Sequence, residues 1–179
     1  MYITCMTAFE PRPPSFTAEP LSAKKIRVGE RAEAKTGRLQ VLLVEDDPDH
    51  AELVRRGLEE YGSRLELTHV EDGEAALAYL REHESRGTPG RPHLILLDLR
   101  LPRIDGLEVL REIKASPDLC EIPCVVLTTS QAEGDMVKAY RLHANSYLVK
   151  PGDYARFVEL IAGAERYWLG QNTQPPGEG

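Results

Sequence analysis

Four apolar runs of this chain each end on a residue that can do chemistry. Asp98 follows His93–Leu97 and opens a Pro-containing turn, DLRLPRIDG, that closes at Gly106. Glu45 and Asp46 end the run Leu39–Val44, Thr128 ends the run from Ile122, and Lys150 ends Ser146–Val149. If the runs are strands of one sheet, these groups share its rim, where open α/β sheets bind their ligands. Clustered carboxylates repel, so one of Glu45, Asp46 and Asp98 takes up a proton unless a cation intervenes. Mg²⁺ suits such a site: it prefers oxygen ligands, needs few carboxylates and keeps water positions that a phosphate can enter. Lys150 adds a positive centre and Thr128 a hydroxyl for phosphoryl oxygens, which is the equipment of phosphoryl transfer. A carboxylate can itself accept the group as an aspartyl phosphate.

Taken singly, each residue has a plainer reading. Asp46 and Asp47 suit the cap of a following helix, Asp98 suits a turn, and Lys150 suits a solvated surface. Asp105, beside Gly106, reads as a cap or turn residue rather than a metal ligand. The functional reading rests on the four strand ends agreeing.

The elements that must position these groups alternate strictly. Leu39–Glu45 is a buried strand, and Asp49–Glu60 a helix with Leu53, Val54 and Leu58 at helical spacing and an Asp49/Glu52 capping pair. Leu65–Val70 is a second strand, with Leu65, Leu67 and His69 on one face, and Gly73–Glu84 a helix burying Ala76, Leu77 and Leu80. After the loop Ser85–Pro92 come the strand His93–Asp98 and a helix marked by Leu107, Leu110 and Ile113, which must end before Pro117. Ile122–Thr128 is a strand, Ser130 and Glu133 form a capping box for a helix to His143, Asn145–Val149 is the last strand and Asp153–Trp168 the last helix. Strands each followed by a helix imply a parallel sheet with right-handed crossovers. The expected fold is therefore α/β, a flavodoxin-like doubly wound (βα)5 domain with a five-stranded parallel sheet. It spans residues 38–169, between a disordered extension, 1–37, and a flexible tail, 170–179.

Composition narrows the function classes. A chain of 179 residues with a formal net charge of −7 holds one ordinary domain and lacks the basic character of a nucleic-acid-binding body. It has neither a bilayer-spanning apolar run nor a basic-then-apolar signal peptide. Cys5, Cys120 and Cys124 are odd in number and form no CxxC framework, which fits ordinary thiols in a reducing cytoplasm. The ten residues after Leu169 are too few for a helix-turn-helix or a catalytic module, so the chain is expected to act by contact.

In order and spacing, LLVEDD, LILLDLRLPRIDG, VVLTTS and YLVKP resemble the receiver domain of two-component response regulators. The resemblance implies that Asp98 is the phosphoacceptor, taking its group from the phosphohistidine of a sensor histidine kinase. It implies Mg²⁺ bound by Asp46, by Glu45 through metal-bound water, by Asp98 and by the backbone carbonyl of Arg100. Thr128 and Lys150 match the residues that hold the phosphoryl group, and Thr128 and Tyr147 the switch pair. Pro151 matches a residue whose preceding bond is often cis in the family. Glu45 stands where many receivers have aspartate, keeping the charge on a longer arm. Arg100 and Ser130 match the variable positions that flank the phosphoryl group and are expected to set its lifetime.

A narrower resemblance, carried by VEDD, RPHLILLDLRLP, LTTS and ERYWL, is to the small regulators paired with bacterial phytochromes. It implies a light-sensing kinase as partner and a homodimer through the last helices; Phe157, Leu160, Ile161, Ala164 and Trp168 form an apolar stripe that is mostly core, with its Tyr167–Leu169 end reaching beyond the domain to a second copy. Three other readings compete. A haloacid-dehalogenase-type phosphatase would need an acid where this chain has Arg100. A phosphate-independent interaction module would not need Asp46, Asp98, Thr128 and Lys150 together. A phosphate sink or relay intermediate differs only in where the group goes next.

Overall fold

The computed structural model describes residues 39–59, 65–85 and 87–173; the expected 1–37 extension lies outside them. Five parallel strands form one sheet in the order β2-β1-β3-β4-β5, the flavodoxin-like arrangement: β1 (Leu39–Val44), β2 (Leu65–Val70), β3 (Leu94–Leu97), β4 (Cys124–Thr128) and β5 (Ser146–Val149). The helices between and after them are α1 (Pro48–Glu59), α2 (Gly73–Glu82), α3 (Gly106–Ala115), α4 (Glu133–Arg141) and α5 (Tyr154–Glu165).

Side chains alternate across a strand, so the apolar runs build two cores. Leu42, Val44, Ile95, Leu97, Cys124 and Val126 face α2, α3 and α4, packing on Leu80, Leu110, Ile113 and Ala139. Val41, Leu43, Leu94, Leu96, Val125 and Leu127 face α1 and α5, packing on Val54, Leu58, Phe157 and Ile161. Each fully buried Leu, Ile or Phe contributes about 1.5–3 kcal/mol, and β1, β3 and β4 are buried on both faces. These central strands are consequently fixed in register, and their carboxyl ends share one rim.

Several local expectations give way. The cap of α1 is Asp47, whose Oδ1 accepts from the N–H groups of Asp49 (2.8 Å) and His50 (3.1 Å); these bonds hold its carboxyl below the usual range. Glu52 instead binds Arg55 and Arg56, which pull its carboxyl down to about 2. Ser130 and Glu133 form no capping box: α4 starts after Ala132 with no side-chain cap, so Ser130 lies two residues before the cap, its oxygen accepting from Ala132 N and its hydroxyl donating to Asp135. His69 is exposed, its Nε2 lying 2.8 Å from the carbonyl oxygen of Glu45. The bond before Pro151 is trans, the form an X–Pro amide favours by about 0.5–1 kcal/mol. The last helix stops at Glu165 and passes into a π-helical turn, Arg166–Gln171, that takes in the first residues assigned to the tail.

Candidate functional site

Backbone hydrogen bonds carry the sheet's ladder one residue past the strands and set the rim residues in place. The N–H of Glu45 donates to Val70 O (3.0 Å), that of Asp98 to Val44 O (3.0 Å) and that of Lys150 to Thr128 O (2.8 Å). Behind Asp98 the chain must turn sharply. A Cβ on Gly106 would lie 2.1 Å from Asp98 O and 2.6 Å from Leu99 Cα, so only glycine lets α3 begin there. Asp105 caps that helix, accepting from Leu107 N at 2.9 Å.

Glu45, Asp98, Thr128 and Lys150 are buried, whereas Asp46 is exposed. The Lys150 ammonium donates to Glu45 Oε2 (2.5 Å) and Asp98 Oδ2 (2.6 Å) and stands 3.4 Å from His50 Nδ1. One ammonium thus bridges two buried carboxyl groups. Burial pushes the Glu45 carboxyl above its ordinary range, opposed by the Lys150 bond and reinforced by the charge of Asp98. Its Oε1 is buried without a hydrogen-bond partner; His50 Nδ1, at 3.4 Å, is within ion-pair range only. A buried orphan carboxylate oxygen costs free energy unless something fills its coordination. Glu45, Asp46 and Asp98 can each offer an oxygen, all within 4.8 Å of one another. This donor set is all oxygen and anionic, and it fits a small hard divalent cation.

Around this cluster lie the remaining residues singled out from the sequence. Thr128 Oγ1 accepts from Ser130 N at 3.3 Å. The half-buried Tyr147 donates its hydroxyl proton to Ser130 O at 3.0 Å. Arg100 donates its backbone N–H to Asp98 Oδ1 (3.1 Å) and turns its exposed side chain towards α4, where Nη2 meets Asp135 Oδ2 at 2.6 Å.

Two participants carry no sequence signal. His50 looks like one more polar residue of the first turn of α1, and its neighbour Lys150 is 100 residues away. Asp135 looks like an acid placed to complement the dipole of α4. Its pairing with Arg100 crosses 35 residues, and no short-range spacing encodes it.

With this geometry in hand, comparison with known proteins is specific. The response regulator receiver domain family matches residues 41–162. The probable methanogenesis regulatory protein FilR2 of Methanothrix harundinacea is 47% identical over 135 residues, covering 75% of this chain and 86% of that protein. Response regulator Rcp1 of Synechocystis is 44% identical over 135 residues, covering 75% of this chain and 92% of its own. The crystal structure of the Mn²⁺-bound form of Rcp1 aligns with a TM-score of 0.71 over 77% of this chain and 99% of that one. The phosphorylated cyanobacterial phytochrome response regulator RcpA aligns with a TM-score of 0.73 at 40% identity, over 78% of this chain and all of that one.

Proposed function

Since the chain belongs to the response regulator receiver domain family, we propose that it is a phosphorylation-controlled regulator whose phosphoacceptor is Asp98. The observation that carries this reading is the Lys150 ammonium set between Asp98 and Glu45, beside an orphaned carboxylate oxygen. Mg²⁺ held by Glu45, Asp46, Asp98 and the Arg100 carbonyl would supply charge neutralisation for the incoming phosphoryl group. An Asp98 carboxylate oxygen bonds to phosphorus as the phosphorus–nitrogen bond of a kinase phosphohistidine breaks. The imidazole nitrogen leaves with the electron pair. Lys150 then exchanges Asp98 for a phosphoryl oxygen, and the Thr128 hydroxyl turns to another. Tyr147 follows Thr128 inward, and the surface of α4, β5 and α5 repacks as a shift between two states. The protein acts on no other substrate in this scheme and works in the cytoplasm; among the described residues no helix is long and apolar enough to cross a membrane.

The partner we propose is a phytochrome-type sensor histidine kinase, supported by the likeness to RcpA, a phytochrome response regulator. A second copy is the proposed occupant of a groove of about 500 Å³ between β5 and α5, lined by Leu148, Leu160 and Trp168. Arg156 and Glu159 edge the same groove one helical turn apart. A two-fold pairing would set each arginine against the glutamate of the other copy, the self-complementarity that an isologous interface needs.

Intact mass after incubation with Mg²⁺ and acetyl phosphate tests the chemistry. A gain of one labile phosphoryl group, absent in Asp98→Asn, is the expected result. No gain in a folded protein that binds Mg²⁺ would count against it. Sedimentation velocity tests the dimer: Arg156→Glu should shift the population to monomer.

A further inference from the structure

Asp135 takes no part in the chemistry just described, yet it ties together the two loops that end at the site. Its Oδ2 accepts from Arg100 Nη2 and from Ser130 Oγ, both at 2.6 Å. Arg100 is fastened through its own N–H to Asp98, and Ser130 through its N–H to Thr128 and through its carbonyl to the Tyr147 hydroxyl. A single carboxylate oxygen on the first turn of α4 therefore links the residues that follow Asp98 and Thr128 by two. The Asp135 side chain is 16% exposed and that of Arg100 60%, so the pair is held at one end and loose at the other.

We propose that Asp135 is a positioning residue that holds the Arg100 guanidinium away from Asp98, and that a phosphoryl group on Asp98 competes for it. The inference rests on the phosphoacceptor reading and adds a component to it. A phosphoryl group brings nearly two negative charges and three strong acceptor oxygens, against one charge and a shared oxygen on Asp135. Guanidinium binds phosphate with two parallel donors, and a partly exposed Arg–Asp pair is weak enough to be exchanged. Once Arg100 lets go, Asp135 keeps only Ser130, and the first turn of α4 is no longer tied to the loop after β3. The next residues of that helix, Met136, Val137 and Tyr140, are its exposed apolar side chains. The exchange would thus move an apolar surface directly.

The alternative is that Asp135 only complements the helix dipole and starts α4. Asp135→Asn keeps the shape and the acceptor for Ser130 but removes the charge that holds Arg100. Rates of phosphoryl gain from acetyl phosphate, read by intact mass in excess Mg²⁺, should be measured for the wild type, Asp135→Asn, Arg100→Gln and the double variant. In that transfer the carboxylate of Asp98 displaces acetate from phosphorus. The expected result is about a fivefold faster gain in Asp135→Asn, the equivalent of one weak ion pair, with no such gain when Arg100 is also replaced. Asp135→Glu, which restores the charge, should return the rate towards the wild-type value. Equal rates for Asp135→Asn and wild type, or the same acceleration in the Arg100→Gln background, would overturn the proposal while leaving the phosphoacceptor reading intact. No phosphoryl gain in any of the four proteins would overturn both.

Discussion

The two lysines that cap the ends of the sheet are used in opposite ways. At the amino-terminal rim, Lys114 of α3 donates to Cys120 O, Ile122 O and Asn145 Oδ1 at 2.9–3.1 Å, three neutral acceptors for three protons. Asn145 passes the connection on, its Oδ1 also accepting from Cys124 N at 2.9 Å. At the carboxyl-terminal rim, Lys150 meets two carboxylates and leaves one of their oxygens unpartnered. The first lysine closes its hydrogen bonds and bolts β4 to β5. The second leaves a buried carboxylate oxygen without a partner, which something cationic or a rearrangement can relieve. Burial lowers the Lys114 ammonium and raises the Glu45 carboxyl, so the same physical cause acts at both rims. Only the second arrangement invites a ligand.

The sharpest test of that contrast removes each cation. Lys150→Met should cost about 3 kcal/mol at pH 8 by leaving buried carboxylates unpaired. Glu45 already has a raised carboxyl, and a raised acid contributes stability below its ordinary value that is lost as pH rises through the raised one. The deficit should therefore shrink towards pH 5, and millimolar Mg²⁺ should recover part of it; urea denaturation at both pH values, with and without the ion, measures this. A deficit independent of pH and Mg²⁺ would break the comparison. Lys114→Met should cost about 2 kcal/mol through its abandoned acceptors. That loss should be indifferent to Mg²⁺, and phosphoryl uptake should stay within about twofold of wild type.

Smaller effects probe the same two rims. Cys124, fully buried at the Lys114 end, has its thiol pushed by burial from 9.0 to about 12. The unfolded thiol ionises first, so its contribution is whole below pH 9 and falls as pH rises from 9 to 12, by at most about 1.4 kcal/mol per unit. Cys124→Ala should decline less steeply than wild type across that window in denaturation curves. Last come the two non-glycine residues with left-handed backbone among the described residues, one near each rim. His143 (φ 62°) follows α4 and Arg103 (φ 65°) lies in the loop after β3. His143→Gly should raise stability by up to about 1 kcal/mol. Arg103→Gly should gain less, because Arg103 is ion-paired to Asp72, the buried cap of α2. Equal gains in thermal melts would deny that pair any role.

Legibility in the sequence followed burial. The runs of β1, β3 and β4 are apolar on both faces, and the strand-end residues Glu45, Asp98 and Thr128 can be read straight from where those runs stop; Lys150 follows the half-buried β5. Elements that bury little were read less well. In α4 only Ala139 is buried, so its start rests on a capping pattern, and the Ser130 hydroxyl donates instead to Asp135, five residues on. β2 is an edge strand, where alternation put His69 inside though its ring lies at the surface. The end of α5 slipped for a similar reason: Tyr167 and Trp168 continue the apolar spacing, but the backbone widens into a π turn. His50 and Asp135 act across 100 and 35 residues, and local patterns hold no record of such pairings.

The Glu45–Lys150 contact spans 105 residues, and the strand leading to the lysine is the sheet's last. During synthesis, the aspartate-bearing strand leaves the ribosome well before its cationic partner. Until β5 docks against β4 there is no buried charge cluster, only separate acids in water. On the proposed phosphoacceptor reading, competence at Asp98 arrives together with structural completion, and a half-made copy would stay silent.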